Sequence, residues 1–218
     1  QEGLRGLRAA RRLPRCKGGQ MIAFKFTKTD GAEYISHLDL LRHIYRTLRR
    51  AGIPVNYSGG FHKHPRIFLN NPLGTGIKSV AEYATIDTPF DGDFAGEFNA
   101  HSPAGIKCLK WAHVKDNQNY ANCIVKCTYS AEGIPPFDIA ALLARDSIEI
   151  ADMRGREVDI RPRIYAVERK GNELVFTLGC GENNLRPDLF CDYLCSVYGG
   201  RARNITKTAA EMSGGEFV

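Results

Sequence analysis

Between Ser36 and Ile67 the chain reads SHLDLLRHIYRTLRRAGIPVNYSGGFHKHPRI and holds four of its six histidines: His37, His43, His62 and His64. Imidazoles change charge near neutral pH, so they can pass protons or ligate metals. The same stretch carries Arg42, Arg46, Arg49, Arg50, Lys63 and Arg66 against Asp39 alone, a local charge of +5. Guanidinium groups meet phosphate oxygens with paired donors. Gly59 and Gly60 can present backbone N–H groups to an anion, and Phe61 and Tyr57 can stack on bases. Arginine, glycine and stacking residues together suit phosphate and unpaired RNA. The expected nucleic-acid contacts are therefore Arg42, Arg46, Arg49, Arg50, Gly59, Gly60, Phe61, Lys63 and Arg66.

The element that must carry the arginines is a helix. Leu38, Leu41, Ile44/Tyr45 and Leu48 fall on one face, and Arg42, Arg46 and Arg49/Arg50 on another. A solvated helix face shows the same arginine spacing, so the neighbouring aromatic loop is what favours a binding surface. Ser36 and Asp39 stand at capping-box spacing, which starts the helix there; Gly52 stops it and Pro54 prevents its resumption. His37 then lies in the first turn, where the helix dipole disfavours the imidazolium. With His64 it forms the candidate acid–base pair of a metal-independent ribonuclease. A metal on His37, His62 and His64 lacks an acid or thiol at a recognised spacing, and no metal or cofactor is expected.

Two further groups need weighing. Cys123/Cys127 and Cys191/Cys195 are each four apart, so a strand pair and a helix pair can in principle meet at a metal, although cysteine also serves as a small buried apolar residue. VDIRPRI puts Asp159, Arg161 and Arg163 on one face of an expected strand. Arg161 is read as a second anion contact, with a structural Asp–Arg ion pair as the alternative.

The whole chain has 218 residues and a formal charge of +6. Six bases and one acid lie in the first twenty residues, so the rest carries only +1, and global charge says little about partners. No apolar run approaches the roughly 20 residues that span a bilayer, and no membrane association is expected. Residues 1–20 lack the apolar core of a secretory signal, and seven cysteines suit reduced thiols; the expected location is cytoplasmic.

Apolar periodicity gives strand, helix, strand, strand, helix, strand from Met21, and a similar order again from ANCIVKCTYSA to RNITKTA. The expected fold is α+β, as two ferredoxin-like (βαββαβ) halves with antiparallel sheets. Residues 1–20 read as a basic tail or linker, 21–117 as the first domain with the arginine helix and Gly-Gly loop, 118–210 as the second, and 211–218 as a tail.

YISHLDLLRHIYRTLRRAGIPVNYSGGFHKHPRI, with AEYATID, VDIRPRI and LRPDLF, resembles the radical SAM-linked protein family of bacteria, across roughly Met21 to Thr208. That resemblance implies a partner or appendage of a radical SAM enzyme, one that presents RNA. A radical SAM cluster uses a Cys-x3-Cys-x2-Cys run, which neither CIVKC nor CDYLC completes, so the chain is not expected to hold the cluster. The favoured reading is a non-catalytic RNA-binding accessory module, with tRNA or rRNA as the RNA class. The alternatives are the ribonuclease or RNA-modifying enzyme using His37 and His64, and a protein-docking module for a radical SAM enzyme.

Overall fold

The protein is represented by a computed structural model that describes residues 20–59, 61–69, 72–114, 123–151 and 155–213. Strand β1 (Met21–Lys28) buries Ile22, Phe24 and Phe26 on alternate positions. A short 3-10 turn (Ala32–Tyr34) leads to helix α1 (His37–Arg50). The helix turns Leu40, Ile44 and Leu48 into the core and its arginines outward. Its end is a Schellman closure: Ile53 N–H bonds the Leu48 carbonyl at 2.9 Å and Gly52, at φ 68°, bonds that of Arg49.

Then come β2 (Ile67–Leu69), β3 (Lys78–Asp87), α2 (Phe94–His101) and β4 (Cys108–Val114). Phe94 and Phe98 of α2 lie with ring centroids 5.0 and 5.3 Å from Phe24, which fixes α2 over β1. The second half is β5 (Ile124–Glu132), α3 (Ile139–Leu143), the small hairpin β6 (Glu149–Ala151) and β7 (Glu157–Asp159), then β8 (Ile164–Lys170), β9 (Glu173–Gly179), α4 (Pro187–Tyr198) and β10 (Arg203–Met212). The fold is mixed α+β with a mostly antiparallel sheet and, among the described residues, four α-helices.

Across the sheet the strands run β4-β1-β3-β10-β5-β9-β8, with β2 also on β3. In place of two separate sheets there is one of eight strands. The reason lies in β3, whose ten residues outrun its neighbour β2: only Ala84, Thr85 and Ile86 are covered by β2. The rest of that edge is open, and β10 enters it in parallel, pairing Thr206 with Lys78 and Lys207 with Ser79. A filled edge is also a protected one. Ala81 and Tyr83 of β3 pack into the second half's core, so apolar contact crosses the seam too.

One further expectation is corrected. Arg161–Arg163 is not strand but a 3-10 turn between β7 and β8. Asp159 accepts the N–H groups of Ile148 and Arg161, both at 2.9 Å, so its carboxylate caps the turn, and those backbone bonds hold it below the usual carboxylate range. The expected boundary between residues 117 and 118, and residues 1–19, lie outside the described residues; β10 continues to Met212.

Candidate functional site

Ser36 caps α1 as its spacing implies: its Oγ accepts the Asp39 N–H at 3.1 Å and donates to Asp39 Oδ2 at 2.8 Å. Those bonds, with Arg42 on Asp39 Oδ1 at 2.8 Å, hold the Asp39 carboxyl below its usual range. Arg42 is thereby tied down. Arg50 is tied as well, donating to the His101 carbonyl at 2.8 Å and to Thr47 Oγ1 at 3.2 Å, which staples α1 to the end of α2. Arg49 lies 5.8 Å from the Tyr45 ring centroid, and Arg46 makes no hydrogen bond or ion pair among the described residues. Arg46, Arg49 and Arg50 line one open hollow of about 270 Å³.

The loop after α1 is zipped at its base. Asn56 accepts the Arg66 N–H at 2.8 Å, Ser58 N–H reaches the His64 carbonyl at 2.8 Å, and the Tyr45 and Tyr57 hydroxyls are hydrogen-bonded to each other. Arg66 forms an ion pair at 2.8 Å with Asp87, whose carboxylate is buried and also accepts from Asn56. Arg66 thus anchors the loop to the end of β3, and its guanidinium is already occupied. The tip is left in solvent: Phe61, His62, Lys63 and His64 are all exposed, Phe61 completely. Gly59 takes no left-handed φ and has open space around its Cβ direction, so its backbone does not require glycine; Gly60 lies outside the described residues.

His37 and His64 are not joined by any hydrogen bond or ring contact among the described residues. The groups around His37 are instead Glu82 and Lys28, and its pKa is lowered by burial first, with Lys28 adding and Glu82 opposing. The ring is held neutral, as expected, although desolvation is the leading cause. This neighbourhood is the part the sequence reading missed. Lys28, Glu33, Glu82 and Lys207 are at most 4% exposed, and Lys207 Nζ sits 2.9 Å from Glu82 Oε1 across the seam. Burial pushes the Lys28 amine below its normal pKa against the pull of Glu82 and Glu33. A signal did exist: Lys28 continues the inward phase of Phe24 and Phe26 along β1, where a charge is out of place.

Arg161 donates to the Leu143 carbonyl at 2.6 Å and to that of Ile164 at 3.1 Å, tying α3 to β8. The cysteine pairs also separate in role. Cys127 sits in the core with Cys180, whose thiol is its hydrogen-bond partner, and Cys191 is buried in α4; both thiols are pushed well above their usual pKa. Burial pushes the Cys108 thiol up to about 12. Among the described residues no three His, Cys, Asp or Glu side chains gather as metal ligands, and no helix is long and apolar enough to cross a membrane.

Among solved structures the chain is similar to an archaeal box H/ACA sRNP Nop10-Cbf5 complex at 11% identity (TM-score 0.42, 85% of this chain and 46% of that one). It is similar to a Cbf5-Nop10-Gar1 complex at 8% identity (TM-score 0.45, 87% and 48%). It spans about half the length of those chains. A Dyp-type peroxidase protein from Shewanella oneidensis follows at 10% identity (TM-score 0.22, 88% and 91%). No curated protein matches the chain. Residues 21–187, which contain both the arginine helix and the buried seam lysine Lys28, match the model of one family, and the chain belongs to it: the bacterial family described as "Uncharacterized protein conserved in bacteria (DUF2344)".

Proposed function

We propose that this protein binds RNA on the outer face of α1 and the loop that follows it, as a non-catalytic module working beside an RNA-modifying enzyme. The observation that carries this reading is one connection: Arg46, Arg49 and Arg50 line a hollow, Arg49 lies over Tyr45, and the Tyr45–Tyr57 hydroxyl bond joins that face to a zipped loop whose tip exposes Phe61 and Lys63. Guanidinium groups free of carboxylates are available to phosphates, and an exposed ring beside them offers a stacking platform. Arg46, Arg49 and Lys63 make the phosphate contacts; Arg42, Arg50 and Arg66 hold the scaffold that aims them. Each half, with its strands in the order fourth, first, third, second, is read as a ferredoxin-like unit. The RNA is of the tRNA or rRNA class, and the enzyme served is a radical SAM enzyme, as the family resemblance implies.

The test is fluorescence anisotropy of a labelled oligouridine against a salt series. Three phosphate contacts on a single strand give a log–log salt slope of about −2, and Arg46→Glu/Arg49→Glu weakens binding while leaving the melting temperature in place. Binding that ignores both salt and this variant rejects the reading. A second reading, metal-independent cleavage, is supported by the neutral His37 between Lys28 and Glu82, with His64 as the second histidine. It requires product formation that His37→Ala and His64→Ala each reduce about 100-fold or more; RNA recovered intact removes it. Binding to any polyanion without regard to length or structure points instead to docking on an acidic protein surface.

A further inference from the structure

We propose that Arg201 and Arg203 form a second phosphate contact, so that an RNA strand held at α1 continues onto the second half of the molecule. This rests on the RNA reading above and names how far its substrate extends.

Arg201 and Arg203 line an open hollow of about 660 Å³ together with Ala202, Gly133 and Gly200. Both arginines are exposed, and neither guanidinium makes an ion pair or hydrogen bond among the described residues. Across the ladder Arg203 is paired in register with Glu132 of β5, whose Oε2 accepts from Asn204 at 3.1 Å. The floor is bare main chain. A Cβ on Gly133 would lie 2.2 Å from the Arg201 carbonyl oxygen, and one on Gly200 2.4 Å from that of Gly133. No side chain can rise into the hollow at Gly133 or Gly200. Arg161, the second-half cation first expected in this role, is engaged by two carbonyls, which leaves Arg201 and Arg203 as the pair with free donors.

The distance between the two basic places follows from β3. The α1 loop is anchored at Asp87, the last residue of β3, and β10 enters the sheet beside Lys78, its first. Nine steps of about 3.3 Å separate Asp87 from Lys78, and Arg203 lies three residues before Thr206, which pairs with Lys78 in parallel, so the two places are roughly 40 Å apart along the sheet. A stacked strand advances about 3.4 Å per nucleotide, so about twelve nucleotides are needed to touch both. Two weak contacts on one strand gain from each other's tethering, which converts the second into an intramolecular step.

The experiment is binding of labelled oligouridines from about 5 to about 20 nucleotides to the full chain and to Arg201→Glu/Arg203→Glu. The expected result is a rise of about 10-fold or more in wild-type affinity once length passes about twelve nucleotides. The variant should keep the short-oligomer affinity and lose the rise. Should the Glu variant melt below wild type, Arg201→Gln/Arg203→Gln is the one to read. An unchanged length dependence in a folded variant overturns the second contact while the α1 reading stands. No binding at any length, with Arg46→Glu/Arg49→Glu no different from wild type, overturns the RNA reading and this inference together.

Discussion

The outer face of α1 and the seam beneath its first turn are both built from charge, and they use it in opposite ways. On α1, Arg46 and Arg49 stand in solvent, where a surface charge adds little to the fold because water screens it. At the seam, Lys207 and Glu82 are each about 3% exposed by side chain, so each needs the other to remain charged. Burial works against the charge on Lys207, but the Glu82 carboxylate beside it outweighs that cost and holds its pKa above normal. A buried pair is not a strong source of stability compared with apolar packing, but half of one is a severe defect. Charge at the surface therefore governs what the molecule meets, and charge at the seam governs whether its halves stay in one sheet.

The contrast can be broken most forcefully at the seam. Glu82→Ala leaves Lys207 buried without its carboxylate, and urea unfolding should show a loss of about 3–5 kcal/mol; Glu82→Leu with Lys207→Leu should recover most of it. A loss below about 1 kcal/mol for the single change would mean that the seam does not depend on this pair. The surface comes next. Arg46→Glu/Arg49→Glu should weaken RNA binding about 10- to 100-fold in low salt yet change stability by no more than about 0.5 kcal/mol. A matching drop in stability would show that these arginines belong to the scaffold.

Ser36 tests the element that links the two regions, since α1 begins at the seam and ends in the arginine face. Ser36→Ala removes the acceptor for the Asp39 N–H and should cost about 1 kcal/mol. The smallest effect is one of pH. The folded-state pKa of His37 is lowered, so as pH falls through about 6.5 the unfolded chain takes the proton first and stability declines, levelling below the folded value. His37→Gln should flatten the part of that decline owed to this ring in urea midpoints taken between pH 7.5 and 5; an identical slope in both proteins would place the titration elsewhere.

Local physics made much of this molecule legible. Ser36 with Asp39, Gly52 and Pro54 mark both ends of α1, and Ile44 and Leu48 its inner face, because caps and amphipathic periodicity act within a few residues; Leu38, expected on that face, is 62% exposed, and Leu40 is buried instead. The strand that opens the order from Met21 was readable for the same reason. The reading failed where a local pattern was overruled by a partner. Arg161 and Arg163 alternate like strand residues, but Pro162 offers no N–H to a ladder and the Asp159 carboxylate holds the turn instead. Arg50 and Arg66 look identical to Arg46 in the chain, yet two of the three are consumed by a carbonyl of α2 and a carboxylate of β3.

The sequence by itself determined the elements, the capped helix and the side of it on which arginines stand, since each depends on neighbours within one or two turns. Only the tertiary structure decided which arginines are free, that His37 lies beside Glu82 and Lys28, and that two runs of strands merge into one sheet. Glu82 and Lys207 are 125 residues apart in the chain and 2.9 Å apart in space. No periodicity encodes that meeting, because it follows from the open edge that a three-residue β2 leaves on a ten-residue β3.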